Sequence, residues 1–397
     1  MDLSKKAKEI NPSITLEITA KAKELKESGI DVVSFGAGEP DFNTPDNIIK
    51  AAIRAMEEGN TKYTVTSGIL DLRNAICEKL KSDNKLEYKA NQIVVSTGAK
   101  QSLANTFLAI LNKGDEVIIP VPYWVSYPEL VKLADGVPVF VNTSKEKDYK
   151  YTINDLEKVV TNKTKVILLN SPNNPTGSIY TREELIEIAE FAKKYDLIIV
   201  SDEIYEKLIY DNREHISIAS ISEDAYKRTV VINGLSKSYA MTGWRIGYSA
   251  SSEEIAKLIS SIQSHVTSNI NSISQYAALE ALTGNQDSIK IMIQEFEKRR
   301  NYMINRLNNI DGISYIRPSG AFYIMVCLDK YYNKSINGKT IKSSLDFSKS
   351  LLEEEMVAVI PGLAFGLDKY IRLSYATSMD VIEEGLNRIE KFLSKLI

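Results

Sequence analysis

The sequence predicts an α/β fold, a mostly parallel sheet covered by helices, followed by a smaller α+β unit. Three observations carry this. Short runs rich in β-branched residues alternate with longer segments of helical period as far as Ala250; turns marked by Gly, Pro and Asn recur without an internal repeat or low-complexity linker; and near Thr283–Asp287 (TGNQD) the pattern changes. At 397 residues the chain exceeds what one hydrophobic core usually organises, so two units are expected.

The strand-like runs are Gln92–Ser96, Val117–Pro120, Val137–Val141, Lys165–Asn170, Leu197–Ser201, Thr229–Asn233 and Ile246–Ala250, a seven-stranded sheet. They are nearly continuous in apolar residues, as strands buried on both faces are. Gly68–Ser82 and Thr181–Tyr195 have the helical period that would cover them. Beyond residue 285 come a charged amphipathic stretch, Gln286–Asn308, strand-like Ala321–Cys327, helix-like Thr340–Glu355, and strands Val357–Ile360 and Tyr370–Tyr375. The division is therefore a large unit over 46–285 and a small unit over 286–397. An N-terminal arm, 1–45, helix-like over Ile14–Ser28, is grouped with the small unit, although its sequence would suit packing on either.

Composition narrows the function. Forty-nine basic against 52 acidic residues leave a net charge of −3 without a long block of like charge, which argues against nucleic acid or an anionic membrane as partner and for small molecules. No stretch approaches the roughly 18 apolar residues of a membrane span. The N-terminal MDLSKKAKEINPS lacks the apolar run of a signal peptide, so a cytoplasmic location is expected. Cys77 and Cys327 form no CxxC or Cys/His spacing and read as packing residues. His215 and His265, the only histidines, suggest neither a triad nor a metal site and read as loop or surface residues. Acid–base chemistry must come from other groups.

In open α/β sheets ligands settle beyond the carboxyl ends of strands. Four polar clusters follow the predicted strands. Asp202, with Tyr205 close behind, is a carboxylate at a strand end that needs a cationic or hydrogen-bonding partner to stay ionised, or else is a turn residue. Lys237 sits among small residues, where desolvation can remove its proton as a Schiff-base lysine requires; a solvated loop lysine is the plainer alternative. Arg245, flanked by Gly243 and Gly247, suits a phosphate held by a bidentate guanidinium. Asn174, fixed by a following proline, would be a rigid amide in what is otherwise a tight turn, and the helix opening at Gly98, Ala99 and Lys100 could bind a phosphate.

Seven segments, AGEPDFNTP, TKYTVTSGILDLR, PYWVSYPE, NSPNNPTG, SDEIY, GLSKSYAMTGWRIG and RLSYATS, occur in an order that resembles one family over nearly the whole chain. It is the class I aminotransferases of the fold-type I pyridoxal-phosphate (PLP) enzymes, especially bacterial aspartate aminotransferases. The resemblance implies a role for each matching residue. Lys237 would hold the cofactor aldehyde as a Schiff base and act as the general base; Asp202 would keep the pyridine nitrogen protonated. Tyr205 and Asn174 would bond the ring 3′-oxygen, and Trp124 would cover the ring face. Arg245, Gly98, Ala99, Lys100 and Ser236 would hold the phosphate with Tyr63 of a second subunit, which implies a homodimer with shared active sites. Arg372, at the start of a predicted strand, would grip the substrate α-carboxylate beside Gly38 and Asn174. With Lys237 and Arg372 in different units, substrate is expected to draw the small unit inward.

Two departures bear on specificity. Where the better-known branch has a phosphate-binding serine three residues before the lysine, this chain has Gly234, with Ser236 nearby. That branch's partner-subunit arginine for the distal carboxylate is absent; in the branch closer to this chain a lysine at the position of Lys100 takes that role, here with Thr15. The expected reaction is amino transfer from L-aspartate to 2-oxoglutarate by a ping-pong mechanism. Aromatic or prephenate amino transfer and PLP-dependent β-lyase chemistry are the alternatives.

Overall fold

The computed structural model describes residues 1–397. In the central strands successive side chains point to opposite faces, and both faces are apolar. Ile167, Leu169 and Ile199 pack with Leu185, Ile188 and Phe191 of the helix Arg182–Lys194. Their sequence neighbours Val166, Leu168 and Val200 pack on the other side with Leu103 and Phe107 of the helix Ala99–Ile110. That double burial is why these runs read as continuous apolar strands rather than alternating ones.

The resulting sheet has seven strands in the spatial order Ile93–Thr97, Ile246–Ala250, Thr229–Gly234, Ile198–Asp202, Thr164–Asn170, Glu116–Val121 and Val137–Asn142. Every pairing is parallel except those of Ile246–Ala250, which runs against both neighbours. Each strand lies within a residue or so of its predicted position. Helix starts are chemically marked: the Thr181 hydroxyl accepts from the Glu184 amide at 3.3 Å while the Glu184 carboxylate accepts from the Thr181 amide at 2.7 Å, so the helix begins at Arg182.

A second sheet of four antiparallel strands, Ile360–Pro361, Tyr370–Ser374, Tyr323–Cys327 and Ser314–Tyr315, packs with the helices Asp287–Asn308, Ser344–Glu355 and Met379–Ser394 around its own core. Arg372, expected at the start of a strand, is its central residue, opposite Met325. The run Val357–Ile360 is not one strand: Val357–Ala358 pairs with Val33–Ser34, whereas Ile360–Pro361 belongs to the four-stranded sheet. The helix expected from Thr340 starts at Ser344, because Lys339–Thr340 is the return strand of a hairpin turning at Asn337 and Gly338, both at positive φ. Through the Val33–Val357 register and the bond from Phe35 N to Ala358 O, 2.8 Å, the arm packs on this second unit, while Asn11 bonds to Glu129 and Thr44 to Ala240 O of the large one. No helix is long and apolar enough to cross a membrane.

His215 lies in a loop, one of the two settings expected of it, but its side chain is not at the surface. Its side chain is 7% exposed and its Nε2 lies 2.9 Å from a carboxylate oxygen of Glu203, which also accepts from the Ser201 and Ser217 hydroxyls. A fully enclosed carboxylate requires such partners, and His215 is one of them. His265 is exposed in the last turn of its helix.

Beside this cluster, buried Glu206 accepts from the Lys79 ammonium and from Asn84 Nδ2 at 2.8 Å. Burial alone would raise its pKa, but the charges of Lys79 and His215 outweigh that and hold it down to about 2. A depressed carboxyl contributes stability that is complete above its unfolded value, near 4.5, and is lost as pH falls toward 2. Glu206→Gln leaves the largely buried Lys79 with only Asp83, 3.9 Å away, as a counterion and is expected to cost about 3 kcal/mol at neutral pH. Denaturant unfolding of both proteins across pH checks this: the gap should narrow progressively below about pH 4.

Candidate active site

The parallel strands end on one edge of the large sheet, and the loops leaving Asn170, Asp202 and Gly234 bring Asn174, Tyr205 and Lys237 together there. Ile246–Ala250 is antiparallel, with Thr97 opposite Ile246, so Arg245 reaches the same edge from the strand's beginning. The second sheet contributes Arg372 and Tyr323, and the arm contributes Thr15, Gly36 and Gly38. Between them lies a cleft of about 420 Å³, within the usual range for small-molecule sites.

Of the residues singled out from sequence, Lys237, Asp202, Tyr205, Asn174, Trp124, Arg245, Ala99, Lys100, Ser236, Gly38, Arg372 and Thr15 line this cleft. Gly98 lies behind Ala99, at φ +80°, and a Cβ there would stand 2.5 Å from Arg245 Nη2, so the guanidinium needs glycine beside it. Tyr63 is outside the cleft of its own chain and 92% exposed. At Gly234 a Cβ would meet Ile246 O at 2.7 Å, so the serine of the related branch has no room here unless the adjacent strand shifts.

Burial raises Asp202 to about 6 against two hydrogen bonds that favour the carboxylate, from Tyr127 Oη at 2.8 Å and from Ile204 N at 3.2 Å. Nearby Glu203 raises it further and Lys237 opposes. Lys237 Nζ donates to Gly38 O at 2.5 Å, and desolvation lowers its pKa to about 8 against the pull of Glu39. A carboxyl and an amine thus stand in one cleft with proton affinities drawn toward neutrality from opposite sides.

Arg372 is 4% exposed. Its Nη1 donates to Asn174 Oδ1 at 2.9 Å, its Nη2 reaches Gly36 O at 3.4 Å, and its guanidinium lies 4.1 Å from the Tyr323 ring centroid. Nε has no partner in the protein. A buried guanidinium whose Nε lacks a partner, on a side chain that lines the cleft, is suited to receive a carboxylate. Lys100 Nζ stands 5.0 Å from the Trp124 ring centroid, and Thr15 Oγ1 is 2.9 Å from Ser13 Oγ.

Three contributors escaped the sequence reading. Tyr127 supplies the hydroxyl on Asp202; Asn170 donates to Asp202 O at 3.0 Å and accepts from Asn174 N at 2.9 Å; and Tyr323 packs under Arg372 while its hydroxyl meets that of Tyr205 at 3.1 Å. Tyr127 and Asn170 stand inside quoted segments, PYWVSYPE and NSPNNPTG, and a buried carboxylate's need for donors is the signal that could have singled them out. Glu203, Glu206 and His215 have ligand atoms within 4.8 Å of one another, but the two carboxylates already hold Ser201, Ser217, Lys79 and Asn84.

Residues 30–389 match the family described as aminotransferase class I and II. The chain belongs to that family. It is 52% identical to an aspartate aminotransferase of Bacillus sp. (strain YM-2) over 391 residues, 98% of this chain and 99% of the relative. It is 48% identical to a probable aspartate/prephenate aminotransferase of Rickettsia felis, covering 98% of this chain and 96% of that one. Among solved structures, the aspartate aminotransferase of Thermus thermophilus with maleate superposes with a TM-score of 0.93 at 39% identity, covering 98% and 99% of the two chains. The chain is therefore an aminotransferase of the bacterial aspartate aminotransferase type, with the fold expected of the fold-type I enzymes.

Proposed function

We propose that this aminotransferase moves the amino group of L-aspartate to 2-oxoglutarate with pyridoxal phosphate as cofactor, the two acids taking turns in one site by a ping-pong mechanism. The observation that carries the reading is the pairing, in one cleft, of an amine and a buried carboxyl of shifted proton affinity with a buried guanidinium that has an unpartnered donor.

The donor set fits the cofactor. An aldehyde requires an amine that is free near neutral pH, a protonated ring nitrogen requires a carboxylate, and a phosphate requires a cationic, glycine-lined cradle. Lys237, Asp202, and Arg245 with Gly98, Ala99, Lys100 and Ser236 answer these needs in turn. Pyridoxal phosphate supplies a carbonyl that carries the amino group between the two acids and a ring that accepts the electrons released at the substrate α-carbon.

The protein's share is binding, orientation and proton transfer. Lys237 Nζ holds the aldehyde end and moves the proton at the α-carbon. Asp202, oriented by Tyr127, holds the proton on the ring nitrogen. Tyr205 and Asn174, which line the cleft, would hold the ring oxygen, and Trp124 would cover the ring. Arg372, beside Gly38, takes the α-carboxylate; Lys100 and Thr15 take the distal one, a lysine discriminating less sharply than a guanidinium fork. Tyr63, exposed on its own chain, would complete the phosphate cradle of a second copy, making the active unit a homodimer. Residues 46–285 form the unit bearing Lys237, and 1–45 with 286–397 the unit bearing Arg372. A cytoplasmic setting suits this metabolism of small acids.

Aspartate/prephenate aminotransferases among the relatives, and the lysine in place of an arginine for the distal carboxylate, favour a second reading in which aromatic acids or prephenate also serve. A panel of amino donors with 2-oxoglutarate tests both, with parallel double-reciprocal lines expected for aspartate. Arg372→Lys keeps a charge and loses the fork, and should raise KM for aspartate about a hundredfold. Unchanged KM, or release of pyruvate and ammonia without an acceptor acid, would overturn the assignment.

A further inference from the structure

Residues 35–45 contain no helix or strand, so no backbone ladder of their own fixes their path. Yet this segment passes between the two halves of the cleft and is bonded to both. Lys237 Nζ donates to Gly38 O at 2.5 Å and Thr44 Oγ1 to Ala240 O at 2.8 Å on one side. On the other, Arg372 Nη2 reaches Gly36 O at 3.4 Å.

What anchors the outer bend of the segment is an ion pair away from the cleft. Arg299, in the helix Asp287–Asn308, donates through Nη1 to Asp41 Oδ1 at 2.7 Å and through Nε to Glu295 at 3.0 Å. Its guanidinium lies 5.3 Å from the Phe42 ring centroid, and the Phe42 and Phe296 rings meet edge to face at 5.4 Å. The Arg299 side chain is 8% exposed and neither Arg299 nor Asp41 lines the cleft.

We propose that Arg299 and Asp41 are positioning residues for substrate binding, their ion pair holding the Gly36–Phe42 segment so that its backbone stands correctly between Lys237 and Arg372. This rests on the reading of Arg372 as the carboxylate receptor. Release of the anchor lets the segment drift while the reacting groups stay on their own strands, so the loss falls on binding of the acid rather than on the chemical step.

The test compares the holoenzyme with Asp41→Asn, Arg299→Met, Arg299→Lys and Arg372→Lys, measuring kcat and KM for aspartate and, separately, calorimetric binding of succinate. Asp41→Asn and Arg299→Met are expected to weaken succinate and raise KM about tenfold with kcat within about threefold, and Arg299→Lys, which keeps the pair, to recover most of the loss. Asp41 is at the surface and its amide is isosteric, so Asp41→Asn carries the test should Arg299→Met fail to fold. Succinate affinity within twofold of wild type in Asp41→Asn, or a fall in kcat matching the rise in KM, overturns the proposal. If Arg372→Lys also leaves succinate affinity unchanged, it is the receptor assignment that fails.

Discussion

Replacing Lys237 with alanine lowers kcat by at least about four orders of magnitude while the protein still folds. On the proposed assignment two functions would leave together, the amine that holds the cofactor and the base at the substrate α-carbon, and no neighbour is placed to assume them. Lys100, the other lysine of the cleft, stands over Trp124. The Lys237 ammonium donates to a backbone carbonyl rather than to a carboxylate, so its removal breaks no ion pair. In the unaltered protein, burial lowers Lys237 to about 8, with Glu39 opposing and Arg245 and Arg372 adding to the depression. The free amine therefore grows about tenfold per pH unit below that value and levels off above it. Capture of pyridoxal phosphate by cofactor-free protein, followed by absorbance, should accelerate with pH over that window and then reach a plateau. Borohydride reduction and peptide mass spectrometry should find the cofactor on Lys237; a label on any other residue would sink the assignment.

Asp202→Asn has the second largest expected effect, a fall in kcat of about a thousandfold. The amide keeps the volume and loses the charge that would hold a proton on the ring nitrogen. It also has an opposite consequence for stability. Because burial raises Asp202 to about 6 from an ordinary 3.8, the folded protein binds this proton more tightly than the unfolded chain. Its stabilising contribution is complete below the unfolded value and is lost as pH rises through about 6, a change on the order of 3 kcal/mol. The cofactor-free Asn variant should therefore lack this fall and unfold at higher denaturant concentration than wild type above pH 6. A variant less stable than wild type at pH 7 would show that Tyr127 and the Ile204 amide compensate the charge more fully than its burial implies.

The large sheet was legible because its central strands are buried on both faces, which leaves no ambiguity of register between solvent and core: Val166 and Ile167 are equally inaccessible. The second unit was less so. Val357–Ile360 is one apolar run, yet its two halves pair with partners far apart in sequence, Val33–Ser34 and Tyr370–Ser374, a choice made by tertiary packing. The Asn337–Gly338 turn before Ser344 was visible in the letters and carries a known hairpin signal, which the helical period after it masked. In the cleft, most residues that bear charge were found, Glu39 excepted, and those that orient them were missed, because Tyr127, Asn170 and Tyr323 are of types that fill cores everywhere. The loop position of His215 was readable but its burial was not, because its partner Glu203 is twelve positions away and only the fold brings the two together.

The strand that runs against its neighbours in the large sheet governs how the reactive amine can travel. The chain leaves the sheet at Gly234 and re-enters at Ile246 on the adjoining rung, where Gly234 faces Gly247 and Leu235 N bonds to Ile246 O at 3.2 Å. A loop tethered at both feet to neighbouring rungs has little room to swing. On the proposed assignment Lys237 is thus a stationary reference point, and adjustment to acids of different length would fall to Lys100 and Thr15, which would meet the distal carboxylate.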